Sequence, residues 1–365
     1  MSSVRYDLAV VGAGLVGLGH ALAAARRGLS TIVIERERQP LGRSLCDAGV
    51  VCPAGQAAGT SWLRARRSTA LWMELGRLAD FPVTPIGLLA LAQSPEAAAV
   101  LDDFADSRMG EGSLPLDRAE LEGRLPSIAA AIERGLAAPG GCHFEPRQAL
   151  PRLTDLLDGM GVDIALGTAA VSLVTGRIET TAGMIRADRI VVAPGADLQT
   201  LYPRVFAGHG VHLARRHYLR LAAQPAGFRL DAVVIGDAGI LAQVGFARQR
   251  SAPGLRARQQ ASPAVELVQA ADGTLVVTAP ATSLEPFMTA AAEAAIHAAL
   301  ADLLTIPDPT VVERWQALVP VADDRDVVIV APEPGIRLVS VTGGNAAGTA
   351  LALAEEVVED LLTGV

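Results

Sequence analysis

The chain has 365 residues, enough for two domains and a large buried core. Its formal charge of −8 argues against nucleic acid as a partner, and although half its residues are hydrophobic, no segment reads as a membrane-spanning helix. All 31 basic residues are arginine, which excludes a Schiff base or a lysine general base.

The first predicted unit is a β-α-β from Tyr6 to Glu35. Gly12 allows the tight turn after the strand, Gly14 lets the backbone approach a pyrophosphate, and Gly17 lets the helix pack close on the sheet. A helix starting near Leu15 and Val16 would offer the pyrophosphate its unpaired N–H groups and positive dipole. Glu35 follows about twenty residues on, where a carboxylate accepts hydrogen bonds from the ribose hydroxyls and disfavours a 2'-phosphate. Strand, turn, helix, strand and acid in this order specify a nucleotide cofactor.

A loop bearing Arg43 leads into a predicted helix over 56–79, a strand over 83–92, a helix over 95–107 and a hairpin over 136–144 around Pro139, Gly140 and Gly141. Residues 148–160 read as a helix, followed by short strands over 162–166, 170–175, 177–181 and 190–193. Residues 212–277 read as alternating strands interrupted by a loop rich in arginine and glutamine between Arg248 and Gln260. An alanine-rich helix over 284–304 would cover one face of that sheet. Strands over 327–330 and 338–342, a glycine turn over 343–348 and a final helix to Leu362 close the chain.

Cofactor signatures thus recur at the start, middle and end, with an antiparallel block inserted before the last. A nicotinamide dehydrogenase would normally complete its cofactor domain in one stretch, so this layout favours FAD. The three cysteines, Cys46, Cys52 and Cys142, have neither metal-ligand spacing nor an even count for disulfides, so no metal site is expected and a reducing compartment fits. The first strand lies almost at the start of the sequence, which leaves no room for a signal peptide and points to a cytoplasmic location.

The sequence resembles the D-amino-acid oxidase, glycine oxidase and sarcosine oxidase superfamily of FAD-dependent amine oxidoreductases. The carrying residues are Val10 to Gly17 with Glu35, Ala187 to Ala196, and Val341 to Thr349. The resemblance implies an α/β fold: a Rossmann-like FAD-binding domain of 1–82, 145–208 and 325–365, with a mixed antiparallel-sheet substrate domain of 83–144 and 209–324. It implies cofactor contacts from Gly12, Gly14, Leu15, Val16, Gly17, Glu35, Arg36, Arg43, Ser44, Gly49, Val50, Val171, Ala193 and Gly195. The terminal turn and helix start, Gly343, Gly344, Asn345, Ala346, Ala347, Gly348 and Thr349, would lie beside the flavin.

Within the superfamily, residues 50–56, 215–225 and 314–316 look most like a branch found with phosphonate-metabolism genes. Two positions depart from the pattern. Cys46 stands where the branch has arginine, and Val319 precedes Pro320 where oxidases of α-amino acids place the arginine that clamps the carboxylate. Glycine, sarcosine and D-alanine are therefore expected to be poor substrates unless another arginine substitutes.

The expected reaction is C–N oxidation of a small anionic amine by hydride transfer to flavin, then imine hydrolysis, with O2 or an external acceptor taking the electrons. Alternatives are an amino-acid oxidase or dehydrogenase, an alcohol or 2-hydroxy-acid oxidoreductase, or a flavoprotein subunit of a larger amine dehydrogenase. The candidate substrate residues are Arg215, Arg216, His217, Tyr218 and Arg220, then Gln243 and Arg248, with Asn345 at the flavin-side turn. A phosphonate dianion suits the planar forks of arginine. Strand alternation puts Arg215 and His217 on one face and Arg216, Tyr218 and Arg220 on the other, so one set lines the site, and the sequence leaves the choice open. His217 could accept a proton from the ammonium or simply hydrogen-bond locally. Trp315 and Phe246 are candidates for apolar walls, and Cys46 for either a covalent flavin link or an inert buried thiol.

Overall fold

The structure is a computed structural model that describes residues 5–39, 43–125, 127–249, 262–280 and 288–364. The arginine- and glutamine-rich loop, beyond residue 249, and residues 284–287 of the expected alanine-rich helix lie outside the described residues.

The opening unit is β1 (Arg5–Val11), α1 (Leu15–Ala25) and β2 (Thr31–Ile34), with β1 and β2 parallel. All four residues of β2 are buried, as expected of a parallel strand covered on both faces. A 3-10 turn over Arg43–Cys46 and β3 (Val50–Val51) follow, then α2 (Thr60–Leu78). This helix begins later than residue 56 because Gly55 and Gly59 adopt φ of +83° and +86°, which interrupts helical geometry.

Next come β4 (Val83–Ala92), α3 (Pro95–Ala105), β5 (Leu114–Asp117) and α4 (Arg118–Arg124). The sequence reading missed α4, although Asp117 and Glu120 form a reciprocal capping box at its start. The expected hairpin over 136–144 is instead one strand, β6 (Arg134–Phe144), antiparallel to β4 throughout. The register slips by one residue opposite Gly87, where Pro139 and Gly140 form a bulge and Gly140 takes φ of +99°. A bulge relieves proline of its missing N–H without turning the chain.

Then come α5 (Pro146–Gly159), β7 (Asp163–Ala165), β8 (Ala170–Val174), β9 (Arg177–Thr180), β10 (Gly183–Val192) and α6 (Pro203–Gly208). The inserted block holds β11 (His212–Leu221), β12 (Ala232–Ile235), α7 (Asp237–Ala242), β13 (Glu266–Gln269), β14 (Leu275–Pro280), α8 (Ala290–Ala301) and β15 (Val311–Val321). The chain returns through β16 (Val327–Val330) and β17 (Ile336–Val341) to α9 (Ala346–Thr363).

These strands form two sheets. The first runs β16-β17-β10-β1-β2-β7, with the β8-β9 hairpin attached to β10; its β17, β10, β1, β2 and β7 are parallel. The second runs β15-β11-β14-β13-β12-β4-β6-β3, with β5 attached to β6. Val50 and Val51, expected within the cofactor domain, pair with β6 in the second sheet.

Helix α2 fastens the sheets together. Its buried Trp72 stacks on Phe144 of β6 at 4.0 Å and donates from Nε1 to the carbonyl oxygen of Ala347 in α9 at 2.8 Å. The start of α9 is thereby tied to the second sheet. Helix α8 covers one face of that sheet, burying Ile296 and Leu300 with Leu219, Leu221 and Val277. Part of the opposite face looks onto the glycine turn before α9. Among the described residues no helix is long and apolar enough to cross a membrane.

Candidate active site

A cleft of about 470 Å3 opens at the C-terminal ends of the parallel strands, where a dinucleotide is expected on this topology. Gly12, with φ of +104°, sits so close to β10 that a Cβ would lie 2.4 Å from the Ala193 carbonyl oxygen. Helix α1 starts at Gly14 with no capping side chain and no acid in its first turn, so its N-terminus suits an anion. Ser44 closes over this helix end. Its hydroxyl accepts from the Leu15 amide at 2.9 Å, and a Cβ on Gly14 would come within 3.0 Å of it.

Glu35 is held by the Ala13 amide on Oε2 at 2.8 Å and the Glu37 amide on Oε1 at 3.0 Å, with its carboxylate at the cleft wall. Gly12, Gly14, Leu15, Val16, Glu35, Arg36, Ser44, Ala193, Gly195 and Ala346 all line this cleft. Arg36 sits at its rim, paired with Asp197 at 2.7 Å.

Several expected cofactor residues support the cleft instead. A Cβ on Gly17 would lie 1.8 Å from the Gly12 carbonyl oxygen, and one on Gly49 would lie 1.8 Å from that of Phe144. Ala347, Gly348 and Thr349 are buried in the first turn of α9. Val171 is a correction: it is 58% exposed, because β8 carries an extra residue there against β9, and Thr168, Ala169 and Ala170 line the cleft in its place. The side chains of Arg43 and Arg248 lie outside the described residues.

A second cavity, of about 240 Å3, lies between the glycine turn and the second sheet. Gly343, Gly344, Asn345 and Val50 line it together with Gln56, Gln243, Arg216 and Tyr218. Asn345 donates from Nδ2 to Gln56 Oε1 at 2.7 Å, and Gln56 donates to the Cys52 carbonyl oxygen at 3.1 Å. Arg216 lies across the turn and donates to the Gly343 carbonyl oxygen at 2.6 Å. Gly344 takes a φ of +77°, which favours glycine, and a Cβ there would fall 2.5 Å from the Arg216 Cζ and displace that guanidinium.

Strand β11 therefore turns its even-numbered residues to the cavity, and the expectation of Arg215 and His217 as site residues is corrected. His217 shares its face with Leu219 and Leu221, toward α8. Burial, and then the Arg215 charge, push its pKa below the usual imidazole range. The Arg215 side chain donates to Gln316 at 3.5 Å. Arg220 is on the cavity's side of the strand but is consumed by Glu145 at 2.7 Å and Glu313 at 3.5 Å.

Tyr218 is buried and stacks on Trp315 at 5.3 Å, so Trp315 backs the wall without forming it. Cys46 and Val319 pack in the same small apolar cluster as Tyr218, and Phe246 is buried in another core. Sequence reasoning missed Glu266, Thr278, Asp47 and Asp326, all of which line the cavity. They belong to no motif, and only sheet pairing brings Glu266, Thr278 and Tyr218 into one row.

The two cavities suit the two halves of a flavin dinucleotide: a glycine cradle, a helix N-terminus and a ribose-side carboxylate, then a glycine turn facing a sheet. The family described as FAD dependent oxidoreductase, DAO, matches residues 7–360, and the chain belongs to it. It is an FAD-dependent oxidoreductase.

Among solved structures it is similar to glycine oxidase from Geobacillus kaustophilus, with a TM-score of 0.77 and 19% identity over 99% of this chain and 95% of that one. L-proline dehydrogenase from P. horikoshii gives 0.79 and 16%, over 99% and 94%. L-α-glycerophosphate oxidase from Mycoplasma pneumoniae, with FAD bound, gives 0.75 and 16%, over 99% and 95%. Such identities establish the fold. A curated relative, the tRNA uridine 5-carboxymethylaminomethyl modification enzyme MnmG of Treponema denticola, is 31% identical over 116 residues, 31% of this chain and 18% of that enzyme.

Proposed function

We propose that the protein oxidises the C–N bond of a small anionic amine, with an aminoalkylphosphonate or its N-methyl derivative as the leading substrate class. The observation that carries this reading is Arg216. Its guanidinium lies in the cavity beside the glycine turn and, among the described residues, meets the Gly343 carbonyl oxygen and no carboxylate. An arginine left without a counter-ion in a cavity is a receptor for an anion, and its fork matches phosphonate or carboxylate oxygens.

The usual clamp position supports a departure from ordinary amino acids. Val319 is 1% exposed in an apolar cluster and offers no charge. It pairs with Ala214, one row from the Arg216–Ala317 pair on the same face. That proximity favours a second reading, in which Arg216 takes the carboxylate of an amino acid in place of the missing clamp.

FAD bound along the two cavities would supply a two-electron acceptor for the substrate carbon. Gly12, Gly14, Ser44, Glu35 and the start of α1 would hold its dinucleotide half, and Gly343, Gly344 and Asn345 its ring side. Arg216 would orient the anion, and Tyr218, backed by Trp315, would wall the cavity. In this reading 1–82, 145–208 and 325–365 form the cofactor domain and the remainder the substrate domain, although Val50 and Val51 pair into the second sheet.

The test is anaerobic flavin bleaching with 2-aminoethylphosphonate, its N-methyl derivative, glycine, sarcosine, D-alanine and L-α-glycerophosphate, followed by air. Rapid bleaching by the aminophosphonates supports the proposal, and the rate of return in air distinguishes O2 from an external acceptor. Bleaching by the amino acids alone supports the second reading. Bleaching by L-α-glycerophosphate alone would overturn both.

A further inference from the structure

The floor of the cavity carries a charge that the proposed function does not yet use. Glu266 on β13 projects into it, half-buried, and has neither a hydrogen-bond nor an ion-pair partner among the described residues. The other two acids of the cavity each accept a hydrogen bond from a neutral donor, whereas Glu266 accepts none among the described residues. Asp47 accepts from the Gly49 amide at 2.9 Å, and Asp326 accepts from the Ser61 hydroxyl at 2.9 Å. A half-buried carboxylate without a counter-charge is costly to keep, and the cost is recovered when a cationic ligand supplies the missing partner.

Register fixes where this acid stands. Glu266 pairs with Thr278, which pairs with Tyr218, and Tyr218 is two residues along β11 from Arg216. Two strand spacings of about 4.8 Å and two residue rises of about 3.3 Å separate the Cα atoms of Glu266 and Arg216 by roughly 12 Å. The two side chains form no ion pair with each other. Along this face of the sheet Glu266 is the negative end and Arg216 the positive end, with Thr278 and Tyr218 between them.

We infer that Glu266 is the residue that recognises the substrate's ammonium group, so that the site selects a zwitterion whose amine and anion are separated along a short chain. This rests on the anionic-amine reading and deepens it. A carboxylate there also discriminates against an alcohol of the same shape, which presents no charge to it.

The experiment uses the FAD-loaded enzyme and two probes, 2-aminoethylphosphonate and ethylphosphonate, which share the anion and differ in the amine. Ethylphosphonate affinity is read from perturbation of the flavin spectrum, and 2-aminoethylphosphonate affinity from the concentration dependence of anaerobic bleaching. Wild type should bind the amine at least tenfold more tightly, a factor typical of a hydrogen bond to a charged group. Glu266→Gln should erase that preference while leaving ethylphosphonate affinity within twofold, and Glu266→Asp should restore part of it. Arg216→Gln should weaken both probes.

An unchanged preference in Glu266→Gln, with wild type bleaching normally, overturns the assignment and leaves the anionic-amine reading standing. Failure of 2-aminoethylphosphonate to bleach wild type overturns both. Loss of ethylphosphonate affinity in Glu266→Gln would mean that the residue shapes the cavity rather than reading the nitrogen, and would also overturn it.

Discussion

Substituting Gly17 by alanine tests whether tight packing of α1 on β1 is what builds the cofactor cradle. The new Cβ would lie 1.8 Å from the Gly12 carbonyl oxygen and 2.9 Å from its carbon, and both are backbone atoms. To reach an ordinary 3.4 Å contact, α1 must shift by about 1.6 Å. It has little room, because on its other side α9 is so close that even a Cβ added to Gly19 would lie 3.2 Å from the Ala350 carbonyl oxygen. Overpacking of this kind costs about 1–3 kcal/mol.

At an unfolding entropy of about 2.1 cal/mol/K per residue, a 2 kcal/mol loss lowers Tm by roughly 3 °C. The same shift moves the α1 N-terminus and the Leu15 amide away from the cleft. Losing one charge-assisted hydrogen bond to the cofactor, about 1.5–3 kcal/mol, should weaken FAD binding about 10- to 100-fold. Gly28→Ala is the control. Gly28 has φ of +74° with nothing within 4 Å of its Cβ, so alanine there costs about 1–2 kcal/mol of backbone strain far from the cleft. Differential scanning fluorimetry and FAD titration of the apoprotein should show similar destabilisation in both variants but weakened FAD binding in Gly17→Ala alone. Wild-type FAD affinity in Gly17→Ala would refute the reasoning.

Arg216→Gln should lower kcat/KM for whichever anionic amine bleaches the flavin by about 10- to 100-fold in stopped-flow assays, and Arg216→Lys should recover little, because an ammonium lacks the planar fork. His20 is fully buried; its Nδ1 donates to the Val16 carbonyl oxygen and its Nε2 has no partner, so burial pushes its pKa down to about 4. The folded protein thus resists protonating it. Stability should be intact above pH 6.5 and decline toward pH 4, by about 2 kcal/mol at pH 5 relative to His20→Gln, in urea titrations at several pH values. Cys46 packs against the Tyr218 and Val319 cluster rather than lining either cavity, so acid precipitation should leave all the flavin in the supernatant. A yellow pellet would contradict this placement.

Local chemistry made the cofactor half of the site legible. Gly12, Gly14, Gly17 and Glu35 act within one contiguous unit, where turn, helix start and strand end fix their own geometry, and the structure places them as that unit requires. The run from Ala187 to Ala196 and the turn at Gly343 acquired their roles only through the family resemblance they carry. Where a local signal competed with pairing, pairing prevailed. Pro139, Gly140 and Gly141 resemble a turn in isolation, but β4 offers β6 a full ladder and turns the same residues into a bulge.

The substrate half depended on contacts between distant strands. Alternation along β11 divides Arg215 and His217 from Arg216 and Tyr218, but an isolated strand has no inside. The side that meets the glycine turn was decided when α8 buried Leu219 and Leu221 and left Arg216 and Tyr218 to the other face. Glu266 reaches the site only through its register with Thr278 and Tyr218. The sequence by itself determined that this chain binds a dinucleotide, because a phosphate cradle is built from neighbours along the backbone. Only tertiary structure decided which charges face the substrate, because a sheet face exists only once its strands have paired and one side has been covered.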